Sequence, residues 1–340
     1  MIIVNFKIAF GQTGSQWLNY LTRLIEGKAA ATFVVLAGVG IAFMTNSAIQ
    51  TNEFQKIKKT TTKIVKRALF LFAIGLLYMP IWFADILHFY GIYMLFTLWI
   101  LKYNKEVILI TALFIIIIYP LLMFFWNYDL GWNYALYTYA DFWTVKGFVR
   151  NLFFNGFHPV FPWVAFMLIG VWFGRHSLND IRFVKRAFLV SFSVFISVQL
   201  ISFLLIFLFS KGNLLTTEEI HQVFGTQPMP PLPLYMLSGS SLAMGIISTC
   251  ILLAKKFEKS IIIYALATTG RLALTFYVAH VMIGMTIIEA INPNFMGHYP
   301  LTFSVAYAIA FSLICVFFAI FWTRIKKQGP LEWLMRKLTD

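Results

Sequence analysis

Apolar residues occur in long unbroken stretches, and short segments between these stretches hold most of the charged residues. A helix needs about 20 mostly apolar residues to cross the hydrocarbon core of a bilayer, and stretches of this kind recur along the whole chain. Polar and apolar positions do not alternate in them, as they would in the strands of a membrane barrel. The pattern predicts an all-α protein, a polytopic bundle of transmembrane helices.

About ten spans are predicted, the first of them unusually short. Ten helical residues extend only about 15 Å, half of a hydrocarbon core of about 30 Å. We expect a truncated first span whose start lies upstream of Met1, with a partial insertion as the alternative. The predicted spans are 1–10, 29–45, 67–83, 86–101, 107–126, 159–174, 187–209, 232–254, 271–290 and 301–323.

The composition agrees with this pattern and excludes a soluble enzyme. The chain is 60% hydrophobic and only 12% charged, whereas a soluble domain is roughly 45–50% apolar and about 25% charged. Residues 1–340 are predicted to form a single integral-membrane domain, because no internal repeat or low-complexity tract divides them. Residues 329–339 have leucines at helical spacing beside Arg336 and Lys337, which predicts an amphipathic cytoplasmic helix.

The positive charges predict the orientation of the spans. If the loop 46–66 is cytoplasmic and the spans alternate, the cytoplasmic side holds 21 of the 27 Lys and Arg residues. This bias is typical of the cytoplasmic loops of membrane proteins. It predicts that both chain ends lie in the cytoplasm of a bacterial cell, with the spans in its inner membrane. Because the charge sits in short loops, the net charge of +14 does not indicate a nucleic-acid partner.

The sequence lacks the motifs that indicate disulfide, metal or nucleotide chemistry. Cys250 and Cys315 both lie in apolar runs, which makes a disulfide framework or a zinc site improbable. The chain has no Walker loop, dinucleotide fingerprint or spaced metal-ligand cluster. We therefore expect no bound metal and no ATP-driven pumping.

Several ionisable or amide side chains fall inside the predicted spans or at their outer ends. Such groups are costly in lipid unless they are paired or face water, so each is a functional candidate. Asp85 and His88 share one helical face at the turn into the fourth span. An Asp beside a His can orient its tautomer and raise its basicity, as a general base requires. The candidates are Asn5, Glu26, Lys28, Asp85, His88, His158 and His280.

Each candidate also has a purely structural interpretation. Glu26 and Lys28 could form an interfacial ion pair, and the aspartate–histidine pair could cap a tight turn. His158 could end a loop, and His280 could be a core histidine bonded to a backbone carbonyl. The sequence leaves both interpretations open.

Five stretches, taken in order, resemble one family, the YeiB-like membrane proteins of bacteria. The first runs from Glu26-Gly27-Lys28 into a glycine-containing span, and the last is the closing Gly-Pro-Leu-Glu-Trp motif. The stretches are 26–40, 67–91, 158–175, 270–280 and 329–336. This family is similar to the heparan-α-glucosaminide N-acetyltransferase superfamily of transmembrane acyltransferases.

The resemblance implies that the chain takes an acyl group, in particular acetyl, from cytoplasmic acyl-CoA to a sugar or small acceptor across the membrane. Asn5 matches an asparagine in the first helix of the acetyltransferase relative. Residues 6–28 contain no histidine, although that relative has one in the following loop. The Asp-x-x-Arg-Gly-like opening of the family is also missing here. An acyl-histidine route would then use His88, His158 or His280.

From these signals we expect Asp85, His88 and His158 to form an outward acceptor pocket, with His88 as the general base. In the simplest interpretation Arg271 is one of the positive charges that keep a loop in the cytoplasm. In the functional interpretation it binds a CoA phosphate together with Lys255 and Lys256. His280 would lie between donor and acceptor. Asn5, Glu26 and Lys28 are the remaining predicted substrate- or cofactor-binding residues.

Two other classes of function remain open. Polar residues in spans interrupted by Gly and Pro also suit a transporter of a small metabolite or lipid-linked precursor. A non-catalytic membrane protein of envelope assembly is the third alternative. The expected partners are the lipid bilayer and a small-molecule or sugar acceptor, and the sequence leaves a homodimer open.

Overall fold

A computed structural model describes residues 1–51, 53–134, 137–212 and 216–340. These residues form sixteen α-helices, two π-helical segments (Asn151–Asn155 and His280–Met285) and one antiparallel pair of strands, β1 (Trp132–Asn133) and β2 (Thr138–Tyr139). The α-helices are α1 (Ile2–Phe10), α2 (Gln16–Ile25), α3 (Lys28–Thr51), α4 (Phe54–Tyr78), α5 (Leu87–Ile100), α6 (Lys105–Leu122), α7 (Val145–Arg150), α8 (Val160–Gly174), α9 (Ile181–Phe209), α10 (Thr217–Phe224), α11 (Pro233–Lys256), α12 (Ile261–Gly270), α13 (Ala273–Ala279), α14 (Thr286–Ile291), α15 (Leu301–Ile325) and α16 (Pro330–Thr339).

The helical membrane architecture is confirmed. Within the described residues, six helical stretches are long and apolar enough to cross a membrane, and a bent pair with a 45° break, Val145–Asn155 and Val160–Gly174, would make a seventh. Two shorter apolar helices are α5 and α12. The six stretches are Gln16–Ile49, Lys105–Leu122, Ile181–Phe209, Pro233–Lys256, Ala273–Ile291 and Leu301–Ile325.

Some predicted element limits were wrong. The helix expected at 67–83 begins at Phe54 and ends at Tyr78, because its lysine-rich first half is helical although it is not apolar. The predicted loops also contain helices. Residues 261–270 form α12, which is too short to satisfy a span criterion of about 20 residues.

The chain forms two compact units, which are described separately. The middle unit is Gly27–Leu252, and the terminal unit combines Met1–Glu26 with Leu253–Asp340. In the middle unit α8 packs against α3, α5 and α6. Thirteen of its fifteen residues are buried, so α8 forms the core of this unit and carries no polar stripe.

Glycines allow α3 and α8 to approach closely. A Cβ atom at Gly38 would lie 2.8 Å from the Val171 nitrogen and 2.9 Å from the Gly170 Cα. A Cβ at Gly170 would in turn lie 3.0 Å from the Gly38 Cα. Small residues of this kind let helix backbones pack directly in membrane proteins.

In the terminal unit α1 and α12 pack against α15, and α16 is tied to α13. The carboxylate of Glu332 accepts hydrogen bonds from the backbone N–H groups of Leu274 and Thr275 at 2.7 and 3.1 Å. It also accepts one from the Thr275 hydroxyl at 2.5 Å. Glu332 therefore caps the first turn of α13, where unpaired N–H groups attract a negative charge.

The close approach of α3 and α8 predicts a contrast between two glycines of α3. Gly38→Ala should lower the thermal unfolding temperature in detergent, because overpacking typically costs 1–3 kcal/mol and outweighs the gain in helix propensity. Gly40→Ala should leave this temperature unchanged or raise it, because among the described residues no atom beyond the adjacent turns of α3 lies within 4 Å of a Cβ at this position. Equal unfolding temperatures for the two variants would contradict the packing described for α3 and α8.

Candidate functional site

Asp85 and His88 form a buried hydrogen-bonded pair where the chain turns from α4 into α5. Asp85 Oδ2 accepts from the backbone N–H of His88 at 3.2 Å and lies 2.9 Å from His88 Nδ1. The exposed fractions of the two side chains are 0% and 2%. Because a carboxylate can only accept, Nδ1 is the donor in this pair, and a neutral imidazole keeps its lone pair on Nε2.

The second nitrogen of His88 is available for chemistry. His88 Nε2 has no hydrogen-bond partner within the described part of the chain. A buried polar atom of this kind usually reflects a role in binding or catalysis, or a water molecule. An oriented imidazole with a free basic nitrogen is the arrangement of a general base.

Gly75 of α4 makes room for this pair. A Cβ atom at this position would lie 2.8 Å from Asp85 Oδ2, and closer still to the backbone nitrogen of His88. Glycine therefore lets α4 pack directly on the turn that carries the pair.

His88 lies in the wall of a small aromatic pocket. Phe83 stacks on Tyr137 with ring centroids 6.0 Å apart, and Trp132 meets Phe157 edge to face at 5.1 Å. Asn151 is a polar residue in the same wall. Rings of this kind offer flat apolar faces to a ligand, while the imidazole offers a basic atom.

His158 belongs to the same neighbourhood. It lies in the break before α8, and its ring meets Trp163 edge to face with centroids 4.6 Å apart. The hydroxyl of Tyr93 donates to the backbone carbonyl of His158. The ring of Phe89, the residue after His88, meets the His158 ring edge to face with centroids 6.1 Å apart. The structure therefore brings together three of the predicted catalytic residues, Asp85, His88 and His158, within the middle unit.

The sequence analysis missed the residues that shape the segment between α6 and α8. Asn155 Oδ1 accepts from the Tyr139 hydroxyl at 2.7 Å, and Arg150 Nε donates to the same hydroxyl oxygen at 2.7 Å. Arg150 also pairs with Asp141 at 2.5 Å. Burial raises the pKa of Tyr139, although Arg150 acts in the opposite direction, so the phenol remains a donor. Residue spacing could not predict this network, because the many aromatic residues of the segment indicate only a position at the membrane interface.

Asn5 and His280 form a second buried pair, in the terminal unit. Asn5 Nδ2 lies 2.7 Å from His280 Nε2, with exposed fractions of 5% and 0%. His280 opens a π-helical segment, a distortion that is frequent at functional sites. This contact joins residues 275 positions apart, so spacing could not predict it.

Glu26 forms an ion pair with a lysine that was not among the predicted site residues. Its Oε1 lies 2.5 Å from Lys7 Nζ, and Lys7 is only 1% exposed. Lys7 also donates to Asn19 at 2.8 Å and to Thr22 at 3.0 Å. These bonds fix α1 on α2. Lys28, in the middle unit, donates to the carbonyl of Thr226 at 3.1 Å.

The predicted donor-binding residues lie in the terminal unit. Arg271 is exposed at the junction of α12 and α13. Lys255 and Lys256 are in the last turn of α11. Their position is open to a phosphate group from solution, and the assignment to CoA stays a prediction.

Comparisons with known proteins bear on the whole chain. Residues 1–211 match the family described as heparan-alpha-glucosaminide N-acetyltransferase, catalytic. Residues 172–340 match the family described as protein of unknown function (DUF418). The chain is 36% identical over 78 residues to the uncharacterized protein YeiB of Escherichia coli (strain K12). That alignment covers 23% of this chain and 20% of YeiB, so the chain spans about a fifth of that relative. No solved structure matches the present chain.

The first of these matches covers more than half of the chain, and the likeness to YeiB confirms the family resemblance drawn from the sequence motifs. The chain therefore belongs to the heparan-alpha-glucosaminide N-acetyltransferase catalytic family, a family of membrane acyltransferases, as one of its YeiB-like members.

Proposed function

We propose that the chain is an integral-membrane acyltransferase that moves an acyl group, in particular acetyl, from cytoplasmic acyl-CoA to a sugar or small envelope acceptor on the outer side. The observation that carries this proposal is the buried Asp85–His88 pair. His88 lines an aromatic pocket, and its Nε2 has no hydrogen-bond partner in the described segments. Family membership supports the reaction class.

The pair supplies the proton chemistry of such a transfer. In the proposed step His88 Nε2 takes the proton from the acceptor hydroxyl or amine as its oxygen or nitrogen attacks the thioester carbonyl. The tetrahedral intermediate then collapses, the carbon–sulfur bond breaks, and the CoA thiolate receives the proton from the imidazolium. Asp85 holds the ring and stabilises the imidazolium while it carries this charge.

The proposed topology has about ten spans, with both chain ends in the cytoplasm and the spans in the bacterial inner membrane. The distribution of Lys and Arg supports this orientation. It would place Arg271, Lys255 and Lys256 on the cytoplasmic side, where guanidinium and ammonium groups would bind the CoA phosphates. The acceptor pocket would open on the other side.

Asn5 and His280 support a variant of this mechanism. His280 Nδ1 lacks a hydrogen-bond partner among the described residues, while Nε2 contacts Asn5. In this variant the amide of Asn5 donates to His280 Nε2, so the neutral ring carries its proton on Nδ1. Nε2 leaves this hydrogen bond and attacks the thioester carbonyl, the carbon–sulfur bond breaks, and the departing CoA thiolate takes the proton from Nδ1. The acyl-imidazole then passes the acyl group to the acceptor. The contact with Asn5 would orient the ring for that attack.

A transporter for a small metabolite or lipid-linked precursor is the second candidate function. The helical stretch Ala273–Ile291 is interrupted by a π-helical segment, and another pair of helices is bent by 45°. Interrupted helices of this kind line the binding sites of many transporters. Protein in liposomes that moves solute without consuming acyl-CoA would favour this alternative over the enzyme.

The general-base assignment predicts the effect of His88→Ala. The purified variant should lose acyl transfer from labelled acetyl-CoA to a glucosamine acceptor by about 10²- to 10⁴-fold, the usual contribution of a general base. His221→Ala, in the exposed helix α10, is the matched control and should keep full activity. Unchanged labelling of the acceptor by a folded His88→Ala protein would exclude His88 as the base.

Asp85→Asn tests the orienting role separately. The amide retains the shape of the carboxylate but loses the charge that stabilises the imidazolium, so we expect a lower kcat with little change in KM for acetyl-CoA. The measurement is steady-state release of CoA by the purified variant. A change confined to KM would assign Asp85 to donor binding and contradict the orienting role.

The acyl-histidine variant predicts a covalent intermediate. Brief exposure of the wild-type protein to labelled acetyl-CoA without acceptor should place the label on His280, as located by peptide mass spectrometry. His280→Ala should remove this label, and Asn5→Leu should reduce it because the ring is no longer held. If no label appears on the protein while acceptor is still acylated, direct transfer through His88 is the mechanism.

A further inference from the structure

A second pocket in the middle unit lies apart from the aromatic pocket. It is bounded by the end of α3, the first half of α4 and the end of α5. Ala48, Ile49 and Ile57 form an apolar part of its wall, and Thr60 and Thr61 form a polar part. It plays no part in the proposed transfer reaction.

The polar part of this pocket can bind an oxyanion. The hydroxyl of Thr45 is already used, because it donates to the carbonyl of Ile41 at 2.8 Å. Thr60 and Thr61 make no hydrogen bond through their hydroxyls within the described residues. Lys102 completes this side of the wall. Two donors and an ammonium group together suit a phosphate.

The helix that forms part of this wall is also basic. The first half of α4 carries five lysines, at positions 56, 58, 59, 63 and 66, which do not themselves line the pocket. One of them, Lys56, pairs with Glu53 at 2.7 Å, and both side chains are more than half exposed. A basic cluster next to a membrane helix attracts anionic lipid head groups.

The apolar part indicates that the phosphate is attached to acyl chains. Large apolar side chains are exposed on the helices that form the pocket, with Phe54 at 76% and Trp99 at 80%. Tryptophan is enriched at the level of the lipid head groups. A free phosphate would use only the polar wall, whereas a phospholipid would use both.

We propose that this pocket binds an anionic phospholipid. Lys102 and the hydroxyls of Thr60 and Thr61 hold the phosphate, and the upper part of an acyl chain lies along Ile49 and Ile57.

The test uses the full purified chain in detergent and native mass spectrometry. Dioleoylphosphatidylglycerol is titrated against dioleoylphosphatidylcholine, with glycerol 3-phosphate and acetyl-CoA as water-soluble phosphate compounds. The variants are Lys102→Gln and the double variant Thr60→Val/Thr61→Val. Lys185→Gln, an exposed lysine of α9, is the control for loss of one positive charge, and thermal unfolding verifies that each variant is folded.

The wild type should bind phosphatidylglycerol more tightly than phosphatidylcholine. Lys102→Gln should weaken phosphatidylglycerol binding about fivefold, the effect of one basic residue near an anionic lipid surface. The double threonine variant should also weaken it, while Lys185→Gln should bind as the wild type does. Equal binding of the two lipids, wild-type binding by folded pocket variants, or displacement of the lipid by either water-soluble compound would overturn the proposal.

Discussion

The hydrogen bond between Asp85 and His88 is the interaction on which the functional account depends. A carboxylate buried in an apolar bundle is unstable unless a donor neutralises it. Here the backbone and ring nitrogens of His88 both face one carboxylate oxygen. This arrangement fixes the imidazole at the head of α5. It also leaves the second ring nitrogen free within the described residues, which a purely structural cap would not require.

The surroundings of the pair explain why it can exist. Gly75 brings α4 close enough to enclose the turn, and α8 provides a rigid apolar core for the middle unit. Tyr139 lines the same pocket and is held there by hydrogen bonds with Asn155 and Arg150.

The sequence predicted the helical membrane class and the Asp85–His88 pair because both are local. An apolar stretch of about 20 residues indicates a span directly. Asp85 lies before α5 and not on the helical face predicted for it, but it is only three residues from His88 in the chain. The contact of Asn5 with His280 and the ion pair of Lys7 with Glu26 depend on how distant helices pack, so no spacing rule could find them. Helix α10 was not predicted, although Thr216 and Glu219 form a capping box of a type that can be recognised in a sequence. The short helix α12 was not predicted, because only apolar stretches of about 20 residues were counted as spans.

The central claim is that Asp85 holds His88 with its proton on Nδ1 and its lone pair on Nε2. Nitrogen-15 NMR of histidine-labelled protein in lipid bilayers measures this tautomer directly, with His88→Gln used to assign the signal. The account predicts a protonated Nδ1 and an unprotonated Nε2 for His88, and a change in this signal in Asp85→Asn. A proton on Nε2 in the neutral ring, unaffected by Asp85→Asn, would contradict it.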